Sequence, residues 1–212
     1  MMNDAMDSGN TRRVYDLAAR DYEEIFFDDL SDAHWLDSFS SSLEAPSLIL
    51  DVGCGPGNFS NYLGSRGHCP VGIDISFEML SVGRQRRGVH HPMVQGTMER
   101  LPFRSGIFDG LLIAYSLLHI PKKNVQSVLQ ELRRVIKANG RSLLLLKEGD
   151  DERVIAASLV AGEFLVASMW RVPELQPLLE LAGWNLISAE HGEPARQEEI
   201  QEPKLALTLI AA

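Results

Sequence analysis

Residues 48–58 read LILDVGCGPGN: a short apolar run, then Asp51, then three glycines in five positions (Gly53, Gly55, Gly57), then Asn58. The run is only five residues long and carries Leu, Ile and Val, so it predicts a buried strand. The glycines predict a tight turn with positive φ and space for a ligand against the backbone. An amphipathic stretch near 57–66 follows, so the turn runs into a helix N-terminus. Unpaired N–H groups and the positive end of the helix dipole meet there. Such a turn can cradle a phosphate or a carboxylate.

The same alternation continues down the chain. Apolar runs at 70–73, 92–94, 110–114 and 142–146 are separated by amphipathic stretches near 76–87 and 122–137. In the last of these, Val125, Val128, Leu129, Leu132, Val135 and Ile136 form one stripe, and Asn139-Gly140 supplies a helix stop. Continuous apolar strands alternating with helices predict an α/β fold with a doubly wound, mostly parallel sheet covered on both faces. Residues 152–182 read as helical. Two further strands, 184–190 and 205–211, have only a loop between them and should pair antiparallel. Upstream, residues 1–9 are expected to be disordered. Val14, Leu17, Ala18, Tyr22, Ile25 and Phe26 give an amphipathic helix over 10–29. A serine-rich link (Ser38, Ser40, Ser41, Ser42) leads to Pro46. The expected division is lid helices over 1–46 and a ligand-binding domain over 47–212.

The chain has 212 residues, with 20 basic and 29 acidic side chains, for a net charge of −9. That balance disfavours a nucleic-acid backbone as the main partner and leaves a small molecule as the expected one. No apolar run is long enough to span a membrane, and the polar N-terminus carries no signal-type core, so a cytoplasmic location is expected. Cys54 and Cys69 lack metal-binding spacing. No metal is expected, and both cysteines read as buried small apolar residues.

The ligand can be narrowed by spacing. The turn is GxGxG, against GxGxxG for dinucleotides, and GxxxxGK[ST] is absent. Asp74 ends the next strand beside the turn. A carboxylate accepts two hydroxyl hydrogen bonds well, so a ribose is its natural partner.

Three blocks in order, DVGCGPG (51–57), GIDIS (72–76) and LPF (101–103) with Phe108-Asp109, resemble the class I S-adenosylmethionine-dependent methyltransferases, closest to their small-molecule, methyltransferase type 11-like branch. The resemblance implies a Rossmann-like seven-stranded sheet of order 3-2-1-4-5-7-6, its last strand antiparallel, and S-adenosylmethionine as cofactor. It places Asp51, Gly53, Cys54, Gly55, Gly57 and Asn58 around the methionine part, Asp74 on the ribose and Ile75 on the adenine. Thr97, Met98 and Glu99 would edge the adenine; the family has Asp where this chain has Thr97, a weaker neutral acceptor. Ala114 would face the cofactor. Tyr115, Ser116 and His119 follow as substrate-side candidates, with His119 or Tyr115 as proton acceptor for an oxygen nucleophile. Residues 14–22 resemble the family's lid helix, and Tyr15 and Tyr22 share one of its faces. A tyrosine face near a sulfonium gains cation–π attraction. Met98, His119, Tyr15 and Tyr22 also have a packing reading, while Arg84, Arg86 and Arg87 read as a solvated helix face and His90-His91 as an exposed loop.

Two other classes stay open: a nicotinamide-dependent oxidoreductase, against which the GxGxG spacing speaks, and a non-catalytic module that binds a cofactor or a partner protein.

Overall fold

The computed structural model describes residues 8–212. Of the expected disordered segment, residues 1–7 lie outside the described residues, and Ser8 and Gly9 already belong to helix α1 (Ser8–Phe26). Helix α2 (Ala33–Ser41) precedes β1 (Leu48–Val52). Then come α3 (Asn58–Ser65), β2 (Cys69–Asp74), α4 (Phe77–Arg87), β3 (Met93–Gln95), β4 (Phe108–Ala114), α5 (Val125–Val135) and β5 (Ile136–Lys147). The chain closes with β6 (Glu152–Ala156), β7 (Phe164–Ser168), α6 (Val172–Leu181), β8 (Trp184–Gly192) and β9 (Lys204–Ala211).

Seven strands form one sheet of order β3-β2-β1-β4-β5-β9-β8, the order expected from the resemblance. β9 pairs antiparallel with both β5 and β8. β1, β2 and β4 run parallel and end together, bringing Val52, Asp74 and Ala114 to one edge. Ligands bind at that carboxyl edge in open α/β sheets.

One face is covered by the α5 stripe (Val125, Val128, Leu129, Leu132, Val135) and by Leu175 and Leu179 of α6. The Trp184 indole N–H reaches back to the Leu129 carbonyl at 3.1 Å. On the other face Trp35, Leu36 and Phe39 of α2 pack against Ile49, Leu63, Leu112, Leu143 and Leu145.

Four expectations need correction. The serine-rich link is helix α2, whose Trp35, Leu36 and Phe39 lie in the core, so the sheet's core does not begin at Ser47. Residues 152–168 form an antiparallel hairpin, β6 with β7, and only 172–181 is helical. The Val154-Ile155 and Phe164-Leu165-Val166 runs are β-formers, and Gly162, at φ +80°, makes the bend between them. Asn139-Gly140 does not end α5, which stops at Val135; the pair lies within β5, with Asn139 at φ +59° beside a register shift against β4. Cys54 is buried as expected, but Cys69 is exposed. Among the described residues no helix is long and apolar enough to cross a membrane, and no cluster of His, Cys, Asp and Glu could hold a metal.

Candidate functional site

The glycine turn is closed by hydrogen bonds from both sides. The amides of Gly53 and Cys54 donate to the Ile73 carbonyl at 2.7 and 3.0 Å. Gly53, Gly55 and Gly57 all adopt positive φ, as the sequence requires. Their roles differ. A Cβ on Gly53 would lie 2.3 Å from the Ser116 Cβ, and a Cβ on Gly57 would press on His91 and Met93. Gly57 therefore shapes the turn into α3 and does not line the cavities that the other turn residues reach.

Asp74 organises the turn. Its Oδ2 accepts from the Gly55 amide and its Oδ1 from the Ser76 amide, each at 2.8 Å. Asp51, at the end of β1, accepts from the Ser60 hydroxyl at 2.6 Å. Burial pushes the Asp51 carboxyl up to about 7, and burial pushes Asp74 up to about 6 against the pull of its two backbone donors.

Two cavities adjoin at this edge. The smaller, about 110 Å³, is walled by Gly53, Gly55, Asp74, Ile75, Met79, Gly96, Thr97, Met98 and Glu99. The larger, about 360 Å³, is walled by Asp51, Cys54, Asn58 and Lys147, by the β6–β7 hairpin and by residues 197–200. Tyr15, Tyr22, Gly53, Ala114, Tyr115 and His119 line both. The predicted site residues thus converge on one edge, Gly57 excepted. Ser116 lines the smaller cavity, with its hydroxyl on the Val52 carbonyl at 2.7 Å.

Two residues singled out for proton transfer differ in kind. His119 Nδ1 lies 2.8 Å from the Val166 carbonyl, which assigns the proton to Nδ1 and leaves Nε2 as acceptor. The Tyr15 hydroxyl donates to that Nε2 at 2.6 Å. Burial holds the imidazole neutral down to about 4. Tyr115 donates its hydroxyl to Asp32 at 2.9 Å, and burial raises its pKa far beyond the physiological range. It is a donor, not the proton acceptor that the sequence offered as one option.

Helix α1 lies over the site and is tied to α4. Asp16 accepts from the Ser76 hydroxyl at 2.6 Å, and the buried Glu23 pairs with Arg86 at 2.6 Å and with Arg87. Arg84 donates to the Met93 carbonyl at 2.6 Å. Arg86 and Arg87 therefore clamp α4 to α1, and Arg84 ties α4 to β3, so the cluster is not a merely solvated face. His91 also departs from its reading: it is half-buried, and burial lowers its pKa to about 4.

Three contributors escaped the sequence reading. Gly83 of α4 lets that helix touch the turn, since a Cβ there would lie 2.1 Å from the Pro56 carbonyl oxygen. A mid-helix glycine costs about 1 kcal/mol against alanine, so it points to a packing need. Lys147 and Lys204 line the larger cavity and are both almost fully buried. Their spacing in sequence gives no signal.

Residues 49–140 match the family described as methyltransferase domain. The chain is 40% identical over 101 residues to a malonyl-[acyl-carrier protein] O-methyltransferase of Legionella pneumophila, covering 45% of this chain and 34% of the relative. It is 35% identical over 111 residues to an 18S rRNA (guanine-N(7))-methyltransferase of Schizosaccharomyces pombe, covering 48% of this chain and 41% of the relative. The chain thus spans well under half the length of these two curated relatives. The fold is similar to the crystal structure of the Burkholderia thailandensis 1,6-didemethyltoxoflavin-N1-methyltransferase. The TM-score is 0.73 at 20% identity, with 96% of this chain and 88% of that one covered. Glycine turn, sheet order and matched segment agree, and together they support a class I S-adenosylmethionine-dependent methyltransferase domain in this chain.

Proposed function

We propose that this chain transfers a methyl group from S-adenosylmethionine to a small-molecule acceptor. The observation that carries the reading is the pair of adjoining cavities that share Tyr15, Tyr22, Tyr115 and His119. The smaller cavity fits the nucleoside part of the cofactor. Asp74 spends one lone pair of each oxygen on the turn and keeps others for two ribose hydroxyls. Ile75 and Met98 offer apolar faces to an adenine, with Thr97 and Glu99 at its edge. Gly53 and Gly55 bring backbone close to the methionine part, with Asp51, Cys54, Asn58 and Ala114 around it. When bound, the cofactor supplies a sulfonium methyl group that is already activated for transfer.

The chain's own work is to hold and align. Orientation alone can lower a barrier by about 7–11 kcal/mol. His119 presents the Nε2 lone pair where an acceptor O–H or N–H could replace the Tyr15 hydroxyl. An imidazole held neutral to about 4 suits orienting that proton more than removing it. Helix α1 acts as the lid that excludes water. A net charge of −9 and a cavity of about 360 Å³ favour a small acceptor over a nucleic acid.

Calorimetry with S-adenosylhomocysteine tests the reading directly. Binding in the micromolar range, about −8 kcal/mol, is expected; no heat and no thermal shift at millimolar ligand would sink it.

A pH series adds a signature. The folded-state values of Asp51 and Asp74, about 7 and about 6, lie above the ordinary aspartate value. Both carboxylates must be ionised to face a cation and accept hydroxyls, so affinity should fall as pH drops from 8 to 5. Stability of the unliganded protein should run the other way from these two groups. Between pH 7 and pH 4 the folded state binds more protons than the unfolded one, so their contribution rises as pH falls. Parallel titrations of affinity and melting temperature check the opposed slopes; a pH-independent affinity would remove both aspartates from the site.

A further inference from the structure

We infer that the methyl acceptor carries a carboxylate, which takes the place that Glu199 now holds between Lys147 and Lys204. This deepens, and rests on, the methyltransferase reading above.

Lys147 and Lys204 stand directly opposite each other on β5 and β9, paired in the antiparallel register. Their side chains are 3% and 4% exposed. Two like charges opposite each other on a sheet are destabilising, and burial adds to the cost unless anions compensate. Two do. Asp32 accepts from Lys204 at 2.9 Å, and its other oxygen accepts from the Tyr115 hydroxyl. Glu199 lies 2.8 Å from the Lys147 Nζ and 3.7 Å from that of Lys204.

The two anions are held very differently. Asp32 sits at the start of α2, whose next turns are in the core. Glu199 belongs to residues 193–203, which carry no helix and no strand and form a wall of the larger cavity. Its other oxygen accepts only from the Arg196 and Ala195 amides of the same loop. The structured frame of Lys147, Lys204 and Asp32 therefore holds one surplus positive charge, and a loop residue neutralises it. Burial pulls the Lys147 ammonium below the usual lysine range and Glu199 acts against that pull, so the frame needs an anion in this position.

The surroundings define the rest of the ligand. The frame stands at the carboxyl end of β5, in the cavity that His119 also lines. Leu118, Ile155, Leu165 and Ile200 supply apolar walls there. A monocarboxylate with an apolar body matches both features. Its carboxylate would accept from Lys147 and Lys204 while Glu199 swings out with its loop.

The test uses the full chain saturated with S-adenosylhomocysteine and titrated with 4-phenylbutyrate and, separately, its uncharged methyl ester. The acid should bind at least about tenfold tighter than the ester. Glu199→Gln, which removes the resident charge, should strengthen acid binding about a further tenfold and leave the ester unchanged. Lys204→Met should erase the preference; should that variant not fold, the acid-to-ester ratio in the native chain and its shift in Glu199→Gln still decide. Equal affinity for acid and ester, no acid binding at millimolar concentration, or a ratio unmoved by Glu199→Gln would each overturn the inference. Failure of S-adenosylhomocysteine itself to bind would instead overturn the methyltransferase reading, so the two failures are distinct.

Discussion

Asp74→Ala is expected to weaken S-adenosylhomocysteine binding by about two to four orders of magnitude. Two charge-assisted hydrogen bonds to ribose, at about 1.5–3 kcal/mol each, would be lost. At about 1.4 kcal/mol per decade, that sum gives the range. The same carboxylate also receives the Gly55 and Ser76 amides, so alanine would leave both donors unpaired and loosen the turn itself. Asp74→Asn separates the effects: its amide oxygen can keep one backbone donor, and its loss should be smaller. Calorimetry on both variants, with melting temperature as a control for folding, gives the answer. An unchanged dissociation constant in Asp74→Ala would show that the ribose binds elsewhere.

The second large effect concerns stability. Leu36 is fully buried in α2, among Ile49, Leu112 and Leu143. Leu36→Ala should cost about 2–5 kcal/mol through lost burial and a cavity. At about 2–4 °C per kcal/mol for a chain of this size, melting should drop by about 4–20 °C. Removing residues 1–29 should be milder for the fold, because α1 packs on Met79 and Val82 in a cluster separate from the sheet core. It should nonetheless open the ligand cavities and abolish tight binding. A larger melting drop for the truncation than for Leu36→Ala would place α1, and not α2, in the stabilising core. Because α2 packs in the sheet core, we propose the boundary between lid and domain between α1 and α2, near residue 30, in place of the expected residue 46.

The glycine turn was legible because its constraint is local: positive φ at Gly53, Gly55 and Gly57 within five residues admits few other sequences. Alternation indicated a mostly parallel α/β sheet, and the strand order was what the family resemblance implied. The 152–168 hairpin was not legible because runs such as Val154-Ile155 and Leu165-Val166 satisfy a helical and an alternating period equally. Helix α2 was hidden by four serines that read as a linker, although Trp35, Leu36 and Phe39 carry the helical spacing. Lys147, Lys204, Asp32 and Glu199 could not be found at all. They come together through the β5–β9 register and a loop, and neither leaves a mark in local spacing.

The position of β9 has a consequence for how the chain is made. It is synthesised after the other six strands of its sheet, yet it lies inside that sheet, between β5 and β8. Lys147 of β5 pairs with Lys204, so 57 residues of sequence separate the partners (204 − 147). At about 5–20 residues per second on the ribosome, Lys147 waits about 3–11 s for its mate. During that interval β5, with four consecutive leucines at 143–146, presents an unpaired edge of the kind that recruits other strands. The nascent protein must therefore pass through a seconds-long state that is open to aggregation. A chain interrupted anywhere in 193–203 would keep that edge permanently, and would be a template for strand pairing instead of a smaller folded protein.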